Sequence, residues 1–317
     1  MNAPETVLVT GATGLVGSQV VRELLESGAN VRALTRRLGP AAGTLDPRAI
    51  LVRWDGTEIP GEAARGTDAV VHLAGEPIFG GLPTAARKQR MRDSRVASTQ
   101  SLVAALGALQ ERERPRRLVC ASAVGFYADS GDALLDEAAA PGSGFLSTLC
   151  RDWEAAAAAA ASSGVRVVSL RIGVVLANAG GALPLMALPF RYGLGGRLGS
   201  GKQWFPWIHH DDLVAMIRTA LDDDRWQGAI NAVAPEPVRN AAFTRALAQA
   251  VRRPALFPVP GFALRTALGD LAPELLDSRR VVPKRALELG FAFTHARVES
   301  ALAAELGAGG TVSEARP

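Results

Sequence analysis

Val7-Leu8-Val9-Thr10-Gly11-Ala12-Thr13-Gly14-Leu15-Val16-Gly17 is the stretch on which the fold turns. Its short, uncapped apolar run reads as a buried strand, and the apolar positions Leu15, Val16, Val20, Val21, Leu24 and Leu25 read as a helix. Three glycines spaced three apart join the two. Gly11 lets the chain turn sharply, Gly14 lets backbone approach a phosphate, and Gly17 lets helix pack close to strand. The helix start points free N–H groups at the loop, an anion site that needs no charged side chain. A glycine triplet alone is weak evidence. Here a second apolar run, residues 31–34, follows the helix, which is the context that a dinucleotide-binding unit requires. The competing account is a tight strand–helix turn that holds no ligand.

The 317 residues suit one large domain or two modest ones. Hydrophobic residues at 48% against 21% charged give a globular balance, not a disordered one. The net charge of +4 comes with arginines scattered among acids, and no run of like charge marks a nucleic-acid tail. Cys120 and Cys150 cannot build a disulfide framework and read as buried or partly buried thiols in a reducing compartment. No stretch reaches the ~20 apolar residues of a spanning helix. The first strand begins within a few residues of Met1, which leaves no room for a signal peptide. The expectation is a cytoplasmic protein whose partner is a small molecule, neither nucleic acid nor membrane.

Apolar runs at 31–34, 50–52, 69–73, 118–121 and 165–170 alternate with helical patterns that include 94–109 and 147–162. Such alternation implies crossover units and a parallel sheet covered on both faces. The alanine run 155–161 is a strong helix former repeated, stopped by Ser162, Ser163 and Gly164. After Gly173 glycine and proline crowd the chain, strand-like and helical signals return at 207–221 and 229–232, and residues 243–306 are mainly helical. The expected fold is α/β, a doubly wound Rossmann-type parallel sheet with a smaller, mainly helical C-terminal substrate lobe. Residues 1–175, with 204–234 returning, would form the dinucleotide domain; 176–203 and 235–317 would form the lobe and tail. Ligands of such sheets sit beyond the carboxyl ends of the strands, here Thr10, Thr35, Arg53, Leu73, Ser122 and Arg171.

The end of the second strand announces cofactor preference. An acid there accepts from the ribose hydroxyls of NAD, and arginine accommodates the 2′-phosphate of NADP. This chain reads Thr35-Arg36-Arg37, with no carboxylate to repel a phosphate. Arg36 can form a fork with it while Thr35 adds a hydroxyl, so NADP(H) is the expected cofactor. Thr13, Leu15 and Val16 belong to the same loop. Trp54 and Asp55 end the third strand beside the adenine, and Leu73-Ala74-Gly75 lets backbone pass close to the ribose.

These residues resemble a known superfamily. Thr10 to Gly17 is similar to the T-G-x-x-G-x-x-G opening of extended short-chain dehydrogenases, and His72-Leu73-Ala74-Gly75 to their H-x-A-G stretch. Ala121-Ser122-Ala123 resembles their strand-five serine motif, and residues 199–212 their substrate loop and V-D-D-type helix start. Phe205-Pro206-Trp207-Ile208-His209, Trp153-Glu154-Ala155-Ala156 and residues 171–176 resemble more closely an atypical branch, the "epimerase family" proteins. Residues 268–306 resemble that branch's C-terminal domain of unknown function. The resemblance runs almost end to end and implies an NADP-binding doubly wound fold with a small substrate lobe. It does not settle a reaction.

The superfamily's chemistry needs a tyrosine acid/base and a lysine four residues on, plus a serine. Four residues after Tyr127 and Tyr192 stand Gly131 and Gly196, so the pair is absent. Ser122 is in place to hold a substrate oxygen. Tyr127, in the loop beyond, is either wall or acid, with wall favoured. Arg95 reaches the cofactor or the substrate, or is an ordinary helix-surface arginine. Glu76, Lys202 and Trp204 are the substrate-side candidates, with Lys202 and Trp204 either a clamp or exposed loop chemistry. His209-His210-Asp211-Asp212 invites a metal, but successive helix positions point around the helix, and an N-cap role for Asp211 or Asp212 explains the acids better; no metal is expected. Two functions follow. One is an NADP-dependent oxidoreductase or epimerase on a hydroxyl/carbonyl pair, with a nucleotide sugar as one candidate. The other is a non-catalytic dinucleotide-sensing regulator.

Overall fold

Short apolar runs flanked by turns do form the central strands of the computed structural model, which describes residues 5–36, 38, 45–79 and 81–307. They are β1 (Thr6–Thr10), β2 (Asn30–Thr35), β3 (Ile50–Arg53), β4 (Ala69–His72), β5 (Arg117–Ala123), β6 (Arg166–Ile172) and β7 (Gly228–Ala232). All neighbours pair in parallel, in the order β3-β2-β1-β4-β5-β6-β7. The order reverses at β1, where the crevice of a doubly wound sheet opens.

Register sorts the side chains. Ala33, Val9, Val71, Val119 and Val168 pair in line and enter one core cluster. Helices Leu15–Glu26 and His210–Asp222 cover that face with Val20, Val21, Leu24, Leu213, Met216 and Ile217. Leu8, Leu34, Val70 and Leu118, one residue out of phase, face Leu102 and Leu106 of helix Ser98–Ala108 and Leu149 and Trp153 of helix Phe145–Ala158. The strand ends fall within one residue of those read from the sequence.

Elsewhere the sequence reading needs correction. A polar helix, Ala85–Arg92, precedes the expected one and joins it through a wide turn, Asp93–Ala97. Its arginines hid it from an apolar-periodicity search. A helix also forms at Ala182–Arg191 inside the glycine- and proline-rich segment. Pro184 falls in its first turn, where no N–H is needed, and Pro189 near its end. Neither Asp211 nor Asp212 caps helix His210–Asp222. His209 does, its Nδ1 accepting the Asp211 N–H at 3.2 Å. Asp212 instead accepts the N–H groups of Thr294 and His295, at 2.8 and 3.0 Å.

Leu176, Leu183, Phe190, Phe205, Phe243 and Leu302 share a separate cluster beyond the carboxyl edge of the sheet. The chain between 259 and 307 folds back over the sheet: Arg280–Val281 pairs with Leu134–Leu135, and Asn231 of β7 donates to the Val282 carbonyl. Among the described residues no helix is long and apolar enough to cross a membrane.

One buried bond ties β1 to β4. The Thr10 hydroxyl and His72 Nδ1 lie 2.7 Å apart, with the Ala74 N–H on the same hydroxyl. Burial pushes the His72 pKa down from 6.5 to about 4, so the ring is neutral in the fold. As pH falls below 6.5 the unfolded chain takes up a proton that the fold refuses, and stability falls with it. Between pH 6.5 and about 4 this group should cost on the order of 3 kcal/mol, at about 1.4 kcal/mol per pH unit. Urea unfolding of the native chain and of His72→Asn across that range measures it. Equal pH slopes would show that His72 does not titrate this way.

Candidate functional site

The loop after β1 is shaped by its own crowding. Gly11 has φ +67°, and a β-carbon there would lie 2.7 Å from the Leu73 carbonyl carbon. The Gly14 N–H donates to the Gly11 carbonyl at 2.9 Å. A β-carbon on Gly17 would overlap that same carbonyl, so its requirement is the loop's own backbone and not the strand body assumed from the sequence. Gly14 has an ordinary φ of −77° and starts the helix without a side-chain cap. The first-turn N–H groups of Leu15, Val16 and Gly17 therefore have no partner within the helix. Thr13 and Gly14 are exposed. The result is a narrow backbone cradle at the carboxyl end of β1.

Thr35 is buried at the end of β2, and Arg36 is exposed beyond it; Arg37 lies outside the described residues. Trp54 is not a pocket wall. Its backbone N–H bonds the Thr35 carbonyl at 2.9 Å and its ring packs into the core under the sheet. Asp55, at the rim, closes on Thr57, whose N–H and hydroxyl hold its carboxyl below the usual range. Arg95 is no surface arginine: it is 9% exposed, donates to the Glu76 carbonyl at 2.8 Å and lies over the Trp153 ring. Its guanidinium fills the space that a side chain on Gly75 would need.

Beyond the ends of β4, β5 and β6 lies a cavity of about 190 Å³, walled in part by Leu73, Gly75, Arg95, Ser122, Cys150 and Glu274. The Ser122 hydroxyl donates to Glu154 at 2.6 Å. Arg171 grips the same carboxylate with two bonds of 2.9 Å and donates to the Tyr127 hydroxyl at 2.8 Å. Tyr127 in turn donates to Asn231 at 2.7 Å. Tyr127 is fully buried and outside the cavity lining, and burial pushes its pKa up. The helix Phe145–Ala158 offers the cavity Leu146, Leu149, Cys150 and Trp153 where a tyrosine–lysine pair belongs. The Cys150 thiol, pushed up to about 12 by burial, stays protonated.

Sequence reasoning missed Glu154, Arg171 and Glu274. The first two stood in stretches quoted for the resemblance, but their pairing is tertiary. Glu274 reaches the cavity because the tail folds back, which no local pattern announces; Arg279 holds it at 3.1 Å.

The substrate-side residues are not brought together. Glu76 meets Arg90 at 3.4 Å, and Lys202 is exposed. Trp204 lies between Arg239 and Arg280 with its indole N–H on Asp132. Strand alternation turns Trp204 outward and its neighbour Phe205 inward, into a second chamber of about 680 Å³. Ligand atoms of His209, His210 and Asp211 come within 4.8 Å of one another because His209 precedes the helix. These three side chains therefore converge and do not point around the helix. Glu305 meets both imidazoles at 2.9 Å, and His295 stacks on His209. A larger depression, about 850 Å³ around Arg114 and Arg117, lies where the strands begin, the wrong edge for a ligand of this sheet.

Comparison with known proteins agrees with this geometry. Residues 7–232 match the "NAD dependent epimerase/dehydratase family" and residues 259–305 a "Domain of unknown function (DUF1731)". The "Epimerase family protein SDR39U1 homolog, chloroplastic" of Arabidopsis thaliana is 40% identical, across 94% of this chain and 86% of its own length. The crystal structure of human epimerase family protein SDR39U1 with NADPH superposes with a TM-score of 0.83 at 32% identity, covering 95% of this chain and 99% of that one. A structure described as a nucleoside-diphosphate sugar epimerase from Corynebacterium glutamicum gives 0.77 at 35%, covering 96% of this chain and 59% of that one. The chain belongs to the NAD dependent epimerase/dehydratase family and carries that C-terminal domain of unknown function behind its Rossmann-like sheet.

Proposed function

We propose that this chain binds NADP(H) and works on a hydroxyl/carbonyl pair as an oxidoreductase or epimerase of extended short-chain type. The observation that carries this reading is one juxtaposition. The Gly11–Gly17 cradle and the cavity holding Ser122 open at the same carboxyl edge of the sheet. The cradle fits a pyrophosphate: its backbone lies bare at Gly14, and the helix start has N–H groups to offer. Arg36 stands where a 2′-phosphate would lie, with no carboxylate beside it in sequence, and the human relative was solved with NADPH. Residues 1–175 with 204–234 form the dinucleotide part on this reading, and 176–203 with 235–317 the substrate part. A cytoplasmic address belongs to the proposal, supported by two buried free thiols, although the Arabidopsis relative is described as chloroplastic.

A nicotinamide dinucleotide supplies hydride exchange at carbon when bound; the chain must hold the oxygen and exchange its proton. Ser122, its own proton directed at Glu154, holds the substrate hydroxyl by accepting from it. Glu274, paired with Arg279, is the carboxyl that faces the same cavity, and we assign to it the acceptance of the hydroxyl proton as hydride leaves carbon, and its return in the reverse direction. A second reading, a dinucleotide sensor without turnover, is favoured by Leu149 and Cys150 on the cavity face of the helix.

Cofactor choice should rest on Arg36. Arg36→Ala should cost ~1.5–3 kcal/mol of NADPH binding and leave NADH nearly untouched, read by calorimetry. Equal NADH and NADPH affinities in the native chain would sink this assignment. For chemistry, Ser122→Ala and Glu274→Gln should each lower NADPH-linked reduction of a carbonyl panel by ~10²-fold or more, with NADPH affinity kept. Tyr127→Phe should leave turnover near native and lower unfolding stability by ~1–3 kcal/mol, since it strands the Asn231 side-chain oxygen and removes one of the two acceptors on an arm of Arg171. NADPH binding with no turnover on any carbonyl compound would favour the sensor.

A further inference from the structure

The 680 Å³ chamber lies between helices Ala182–Arg191 and Asn240–Ala250, and its chemistry is one-sided. Met186, Phe190, Phe205, Phe243 and Leu247 make its walls. Among the described residues that line it, none is ionisable, and only Asn240 and Thr244 carry hydrogen-bonding side chains. The Asn240 side-chain oxygen is already engaged, accepting the Leu198 N–H at 2.9 Å. At the mouth, Leu185 and Leu194 are 68% and 60% exposed, large apolar side chains held out to water.

The chamber adjoins the Ser122 cavity. Ile78 walls both, and Ile172 and Val174, on either side of Gly173, wall one each. A methyl group on Gly181 would come within 2.9 Å of the Leu15 side chain, so the chamber also abuts the cradle.

We infer that the molecule taken here is uncharged and mostly hydrocarbon, an alcohol or carbonyl compound whose reacting end meets Ser122 and whose body fills the chamber, rather than a nucleotide sugar. The inference rests on the proposed reading in placing the reacting carbon at Ser122. A nucleotide sugar would bring a diphosphate into walls with no cation, and unpaired charge in an apolar site is strongly disfavoured. Of the nearby cations, Arg87 lies behind the wall and donates to the Pro77 and Ile78 carbonyls at 2.9 and 3.2 Å. Arg239 pairs with Asp132 at 2.7 Å and stacks on Trp204, as does Arg280. Arg197 faces a separate depression that it shares with Arg245, and Lys202 is exposed. An apolar body gains from these walls in proportion to the surface it buries.

The test is equilibrium binding, independent of turnover. The 2-alkanones from four to ten carbons, and UDP-glucose, are titrated into the full chain by calorimetry with and without NADPH. Affinity should rise about fourfold per added methylene over the shorter members, and UDP-glucose should not bind. Leu185→Glu places a charge at the exposed mouth and should weaken decan-2-one at least tenfold with an unchanged melting temperature. A flat chain-length response overturns the inference, as does UDP-glucose binding tighter than decan-2-one or no binding by either. NADPH titrated alone reads the cofactor proposal separately. Chain-length-dependent binding in a protein that ignores NADPH supports the apolar ligand while failing the cofactor reading.

Discussion

A guanidinium that is 5% exposed must find acceptors on every side, and Arg171 does so at the end of β6. Two of its nitrogens bond Glu154, a third bonds the Tyr127 hydroxyl and the Glu137 carbonyl, and its plane lies 3.6 Å from the Phe126 ring centroid. Burial pulls its pKa down, yet the paired bond to Glu154 more than offsets this and holds it above the ordinary value. The charge pair need not add net stability. What it does is fix geometry, because losing either partner would strand a buried charge. Glu154 Oε1 accepts from both Arg171 and Ser122, so the direction of the serine hydroxyl is set by an arginine at the penultimate position of β6. Through Tyr127 and Asn231 the same network reaches β7 and the returning tail at Val282. One side chain thus couples the sheet, the helix Phe145–Ala158 and the C-terminal segment.

Features that depend on local backbone were legible in the sequence. Gly11 needs a positive φ, and Gly17 cannot tolerate a β-carbon; both demands are met within a few residues of chain. The inner strands β1, β4 and β5 were legible because they are buried on both faces and so read as apolar runs. Groups that act across the fold were not. Glu154 and Arg171 are seventeen residues apart and meet only after β6 docks beside β5. Glu274 comes from the last sixth of the chain. Asp212 shows the hazard of local rules: its position suggested a cap, but the tail's N–H groups at 294 and 295 claimed its carboxylate. Trp54 shows another, since a residue at a strand's carboxyl end can still turn its ring into the core.

The missing tyrosine–lysine pair and the apolar chamber follow one electrostatic logic. A phenol acts near neutral pH only if a neighbouring cation brings its pKa down from about 10. Tyr127 does have Arg171 beside it, but burial outweighs that pull and moves the phenol the wrong way. A lysine on the helix Phe145–Ala158 would enter a cavity where Arg95 already supplies a buried cation, whose pKa burial lowers. Two cations in about 190 Å³ would repel. Carboxylates are distributed differently. Glu154 stands behind Ser122 with Arg171, and Glu274 stands at the cavity wall with Arg279, each negative charge matched by a guanidinium outside the cavity lining. The reacting space can therefore carry proton-exchanging groups while the chamber beyond it stays uncharged. On the proposed reading that separation is what lets an apolar substrate sit against a polar centre without burying an unpaired charge of its own.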